Sequence, residues 1–124
     1  MRLVVIGAPG AWHVGRIAAV AAGRGHEVDV VGWQALGAAV GAGPERFLPE
    51  EVERADAIVV RGMPAGRLEE VILRMDLLGR LESRGTPVIN APRGLEAAID
   101  KYLSLSRLAA AGVPVPRTIV AQDA

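Results

Sequence analysis

The sequence has no cysteine. That excludes a disulfide framework, a thiolate zinc site and a cysteine nucleophile. Aromatic residues are scarce, with one Phe, one Tyr and two Trp. So few π-faces give single-stranded nucleic acid nothing to stack on. Charge of one sign is missing too, because Lys plus Arg and Asp plus Glu stand at 14 each. No net basic field draws the chain to nucleic acid or to an anionic membrane. No apolar run approaches the length of a membrane span. The opening "MRLVVIGAPG" reads as a first strand rather than as a signal peptide. These absences lead to the expectation of a cytoplasmic protein, with neither nucleic acid nor membrane as a partner. Lysine is nearly missing as well: thirteen of the basic residues are arginine, and the one exception is Lys101.

What is present is an aliphatic chain of ordinary domain size, with 124 residues of which 51% are hydrophobic. "RLVVI" (2–6), "VDVVG" (28–32), "AIVVR" (57–61) and "PVIN" (87–90) are short apolar runs bounded by glycine, proline or charge, as buried parallel strands are. Helical spacing of Val14, Ile17, Ala18 and Ala21 follows the first run. Pro49 with Glu50 and Glu51 opens a short helix, and residues 33–48 are expected to be a loop with one helical turn. Residues 67–83 form the clearest helix. Leu68, Val71, Ile72, Met75 and Leu78 are its apolar stripe, and Glu70/Arg74 and Asp76/Arg80 are i,i+4 pairs on the wet side. Pro92 opens a helix through Ile99. Asp100 caps another over 101–111, and "RTIVA" (117–121) starts a further strand.

Strand and helix alternate, which predicts an α/β fold: a Rossmann-like open parallel sheet of four strands with helices on both faces. The expected order is 2-1-3-4, and it reverses between the first and third strands. Ligands bind such sheets outside the carboxyl ends of the strands at that switch point. Three loops should converge there: Gly7 to His13, Arg61 to Gly66, and Asn90 to Arg93. "GAPG" (7–10) lacks the third glycine of a dinucleotide fingerprint, and no acid clearly ends the second strand. His13 is placed to donate to a bound anion, or is a surface residue at a helix start. Arg61 ends an apolar strand, so its planar fork should emerge at the carboxyl edge, suited to a carboxylate or phosphate. Gly62 follows it. Asn90 either faces the substrate or caps the next helix, and Arg93 faces the substrate or solvent. Lys101 would sit in the first turn of its helix, where the macrodipole disfavours a cation by some tenths of a kcal/mol, on the order of 0.3 or more. A phosphate oxygen about 4 Å away would gain roughly 4 kcal/mol per unit charge at an effective dielectric of 20, and outweigh that cost. No nucleophile–base pair and no metal-ligand cluster is evident, so no catalytic or metal residue is assigned.

The stretch "APRGLEAAIDKYLSLSRLAAAGVPVPRTIVA" resembles the ATP-grasp ligases: an Asp-Lys pair opens a helix, then come leucines, Ala-Ala-Gly and Pro-x-Pro-x-Thr. "AIVVRGMP" and "LEEVILRMDLLGRLESRGTPVINAP" are similar to the third strand, long helix and fourth strand of the RimK type, the L-glutamate ligases. "RGMPAGRLEEVILRMD" is closest to the branch that acts on tetrahydromethanopterin-type cofactors. The resemblance implies a pre-ATP-grasp domain over 1–91. It implies that 92–124 holds the connecting helices and first strand of an incomplete ATP-grasp domain. It implies that Lys101 contacts ATP phosphate, and that Arg61, Gly62, Asn90, Arg93 and His13 face a carboxylate substrate. The whole enzyme would activate a carboxylate as an acyl phosphate with MgATP, and an amine would then attack. The glycine-rich loop and the Mg2+ ligands of that family are not in these residues, so this segment is expected to be inactive alone. A homo-oligomer is left open. Two other readings stand beside this one: the N-terminal half of a GT-B-like glycosyltransferase, suggested by "HVGRIAAVAAGRGHEVDVVG", and a non-catalytic α/β binding module.

Overall fold

The computed structural model describes residues 1–122, which cluster into two compact units, 1–92 and 93–122. The first unit runs β1 (Arg2–Ile6), α1 (Trp12–Gly23), β2 (Glu27–Val31), a 3-10 turn (Trp33–Ala35), β3 (Gly37–Ala39), β4 (Arg46–Leu48), α2 (Glu50–Glu53), β5 (Ala57–Val60), α3 (Leu68–Ser83) and β6 (Val88–Ile89). The helices α4 (Pro92–Ile99) and α5 (Lys101–Ala110) follow.

Consecutive buried residues in β1 (Val4, Val5, Ile6) and in β5 (Ala57, Ile58, Val60) show why these runs lack polar alternation. Each strand is covered on both faces, as parallel strands require. The four parallel strands lie in the order β2-β1-β5-β6, which is the expected order with β3 and β4 intervening only in the count. The register sets Ile6 beside both Val31 and Val60, so the strands end together at one edge. Among the described residues no helix is long and apolar enough to cross a membrane.

Four local expectations change. Residues 37–48 are not an open loop: β3 and β4 pair antiparallel, with Ala38 opposite Phe47. Phe47 is buried, its backbone N–H donates to the Glu53 carboxylate, and the Arg84 guanidinium lies 4.6 Å from its ring centroid. Arg80 and Arg84 both reach Glu45, at 2.7 and 3.1 Å, and fasten the hairpin to α3. Those hydrogen bonds, from Arg80 first, hold the Glu45 carboxyl below its ordinary range. Arg80 therefore does not form the expected pair with Asp76.

The buried face of α3 is also rotated. Leu77, Leu78 and Leu81 are buried together with Arg74, whereas Leu68 is 71% and Ile72 50% exposed. The Glu70–Arg74 pair forms at 3.7 Å, with Arg74 buried and the Glu70 side chain 43% exposed. A guanidinium with partners inside takes the place that the stripe assigned to leucine and isoleucine. Finally, residues 117–121 form no strand. A strand exists only through ladder partners, and no neighbour pairs with this segment. Thr118 instead closes a local hydrogen bond, donating to the Pro116 carbonyl at 3.0 Å.

Candidate functional site

The carboxyl edge of the sheet is where β1 and β5 release their loops. The Gly7 N–H donates to the Val31 carbonyl at 3.1 Å, and the Arg61 N–H donates to the Ile6 carbonyl at 2.7 Å. The two loops then touch. A Cβ at Gly7 would lie 2.7 Å from Val14 Cγ2 and 2.8 Å from the Arg61 carbonyl oxygen, so only glycine fits. His13, in the first turn of α1, brings Nε2 to 3.7 Å from the position a Gly62 Cβ would take. Gly62 itself turns the chain with φ +64°. The Asn90 side-chain amide donates to the Val60 carbonyl at 3.2 Å, which ties the ends of β5 and β6 together. Gly7, His13, Arg61, Gly62 and Asn90 therefore share this edge.

Arg61 differs from most arginines of the first unit. Arg2, Arg54, Arg67, Arg74, Arg80 and Arg84 each pair with a carboxylate. The exposed Arg61 side chain has no such partner among the described residues. A fork of five donors on a backbone fixed at the last ladder position is suited to an incoming anion. The nearby start of α1 carries no acid in its first turn, and Ala11 provides no side-chain cap, so nothing there opposes negative charge.

Arg93 and Lys101 belong to the second unit. Arg93 is exposed in the first turn of α4. Asp100 caps α5: its carboxylate accepts from the Leu103 N–H at 2.9 Å. Lys101 is thus the first helical residue, exposed, with Nζ donating to the Ala98 carbonyl at 3.3 Å. An ammonium has three donors, so two remain for a ligand. Asn90 and Arg93, paired in the sequence reading, fall in different units.

Two residues of consequence escaped the sequence reading. The Trp33 indole N–H donates to the Gly62 carbonyl at 2.9 Å, and the Arg74 guanidinium donates to the Pro64 carbonyl at 2.9 Å. A tryptophan in a stretch without periodicity was the available signal for the first. The second carried no signal, since an i,i+4 partner made it look like a surface charge. Among the described residues no group of three or more His, Cys, Asp or Glu side chains could hold a metal ion.

A concavity of about 430 Å³ lies elsewhere, beside α1, over Leu3, Ile17 and Val20. It is open and mostly apolar, with Arg16, Arg24 and His26 also in its lining.

No family model matches the chain. Over 68 residues, 55% of its length, the sequence is 43% identical to the tetrahydromethanopterin:alpha-L-glutamate ligase of Methanosarcina acetivorans, and covers 21% of that protein. Solved structures of the ATP-grasp ligase PsnB share the fold. The complex with a minimal precursor gives a TM-score of 0.68 at 28% identity, over 94% of this chain and 45% of that one. The complex with a phosphomimetic variant of that precursor, Mg and ADP gives 0.68 at 26% identity, over 94% and 46%. The chain thus spans about a fifth of the curated relative and just under half of the solved structures. The resemblance to the ATP-grasp ligases is borne out by the solved structures, and that to the tetrahydromethanopterin branch by the curated relative.

Proposed function

We propose that this chain, an ATP-grasp RimK-like N-terminal domain by sequence and fold, supplies the substrate side of an ATP-dependent carboxylate–amine ligase. Its own part is to bind rather than to react. Arg61 receives the carboxylate in a bidentate grip, with Gly62 and His13 forming the neighbouring wall. Asn90 keeps the edge in shape through Val60 and has its side-chain carbonyl left for the substrate. Lys101, in the second unit, meets ATP phosphate. The Mg2+ ligands and the groups that activate the carboxylate come from outside these 124 residues, and the segment alone does not catalyse. L-Glutamate is the amino acid we assign, and the cytoplasm is where we expect the protein to work.

One observation carries this reading: a guanidinium with no carboxylate of its own stands at the switch point of the sheet. The sequence match to a glutamate ligase gives that guanidinium a natural partner. The stretch 90–116, which a glycosyltransferase reading leaves unexplained, folds as two helices with the lysine at the start of the second, and this supports the ligase reading.

The test uses the protein as isolated from its own cells. Phosphate release from MgATP should depend on added L-glutamate and an acceptor. Arg61→Ala should raise the KM for the carboxylate about 10- to 100-fold, the loss of a charge-assisted hydrogen-bonded pair. Release that ignores L-glutamate, or an unchanged KM in the variant, would remove Arg61 from the site.

A further inference from the structure

Arg74 is the one buried charged residue among the described residues, at 8% exposure, and the site as proposed does not use it. Burying a guanidinium is expensive, and an apolar side chain of similar size would often pack the helix as well. Its surroundings show what it holds. The guanidinium donates to the Pro64 carbonyl at 2.9 Å, lies 3.7 Å from the Glu70 carboxylate and stands 5.9 Å from the centroid of the Trp33 ring. Trp33, itself buried, donates its indole N–H to the Gly62 carbonyl at 2.9 Å. Glu70 accepts from the Arg67 backbone N–H at 3.1 Å. A Cβ at Gly66 would lie 2.6 Å from the Glu70 carboxylate and 3.0 Å from Arg74, so the loop is wrapped closely onto this pair.

Trp33 and Arg74 thus meet backbone groups at Gly62 and Pro64 inside the 61–66 loop, and Glu70 meets the Arg67 N–H where the loop enters α3. We infer that Trp33, Arg74 and Glu70 are positioning residues that fix the loop and thereby aim Arg61 at its anion. The inference rests on the reading of Arg61 as the carboxylate grip. A loop held before the ligand arrives has less freedom to lose on binding, and affinity rises by that difference. Arg74 is buried because its donors are needed at the Pro64 carbonyl, and the Trp33 face shields it from water.

The experiment is a double-mutant cycle on the protein as isolated, read by titration with L-glutamate and by amide hydrogen exchange. Trp33→Phe keeps the packing and removes the indole donor. It is expected to weaken L-glutamate binding about fivefold, one hydrogen bond's worth, and to speed exchange of the Arg61 N–H, the loop amide held by the Ile6 carbonyl, by a similar factor. In an Arg61→Ala background the same change should cause no further loss of binding, because the two residues act through one contact. Arg74→Lys, which keeps a donor for the Pro64 carbonyl, should restore most of the binding that Arg74→Met loses. Equal losses in both backgrounds, or unchanged loop exchange in Trp33→Phe, would overturn the positioning role. If Arg61→Ala alone binds L-glutamate as the wild type does, the carboxylate reading fails and the positioning role goes with it. If binding needs Arg61 but ignores Trp33→Phe and Arg74→Met, the positioning role alone fails.

Discussion

Gly7→Ala is the smallest change that strikes the fold and the candidate site together. The added methyl has no space. It would meet Val14 Cγ2 at 2.7 Å and the Arg61 carbonyl at 2.8 Å, both well inside normal contact. Neither neighbour yields easily. Val14 is buried at 1% exposure, and the Arg61 backbone is pinned by its ladder bond to Ile6 at 2.7 Å. Overpacking of this kind costs about 1–3 kcal/mol. For a unit of this size each kcal/mol moves the melting temperature by roughly 4–8 °C, so a fall of about 4–24 °C is expected. The assay is thermal unfolding followed by far-UV circular dichroism, with a urea titration whose slope m should not change. Gly15→Ala is the matched control on α1. A Cβ there meets nothing within 4 Å, so the variant should gain up to about 1 kcal/mol from helix propensity. The reasoning is refuted if Gly7→Ala melts with the wild type, or if Gly15→Ala loses as much as Gly7→Ala.

Two further outcomes are expected. The Arg2 backbone N–H, donating to Asp56 at 2.7 Å, holds the Asp56 carboxyl below its ordinary value. A depressed carboxylate stabilises above its unfolded pKa and loses that contribution as pH falls through the folded one. Asp56→Asn should therefore melt below the wild type at pH 7, and the gap should close as pH falls below about 4; a gap independent of pH would contradict this. Asp100→Ala removes the cap of α5, worth about 1 kcal/mol, so amide exchange at Leu103 should rise about fivefold. No residue of α5 is buried, so the change should read out locally; unchanged exchange at Leu103 would mean the cap carries no weight.

The sheet was legible because β1 and β5 are continuous apolar runs, and burial on both faces leaves no other reading of Val4, Val5 and Ile6. The start of α5 was legible because Asp100 has the chemistry of a cap. The β3–β4 hairpin was not, since Gly37–Ala39 has neither alternation nor branched residues, and what secures it is Phe47 and the distant Arg80 and Arg84. The face of α3 was misread for a related reason. Periodicity counts leucines, but which stripe is buried was decided by a tryptophan 41 positions earlier in the chain and by the Pro64 carbonyl, both of which meet Arg74. Arg61 could be proposed from its place at a strand end. That its guanidinium lacks a partner while six other arginines have one is a fact only the folded chain supplies.

The account stands or falls most directly on Lys101. The measurement is calorimetric titration of MgATP into the protein as isolated from its own cells, wild type against Lys101→Ala. Losing an ammonium–phosphate hydrogen bond should weaken ATP binding about 10- to 100-fold, while α5 stays folded because the macrodipole never favoured a cation at its first residue. Equal affinities in the two proteins, or no ATP binding in either, would contradict the account.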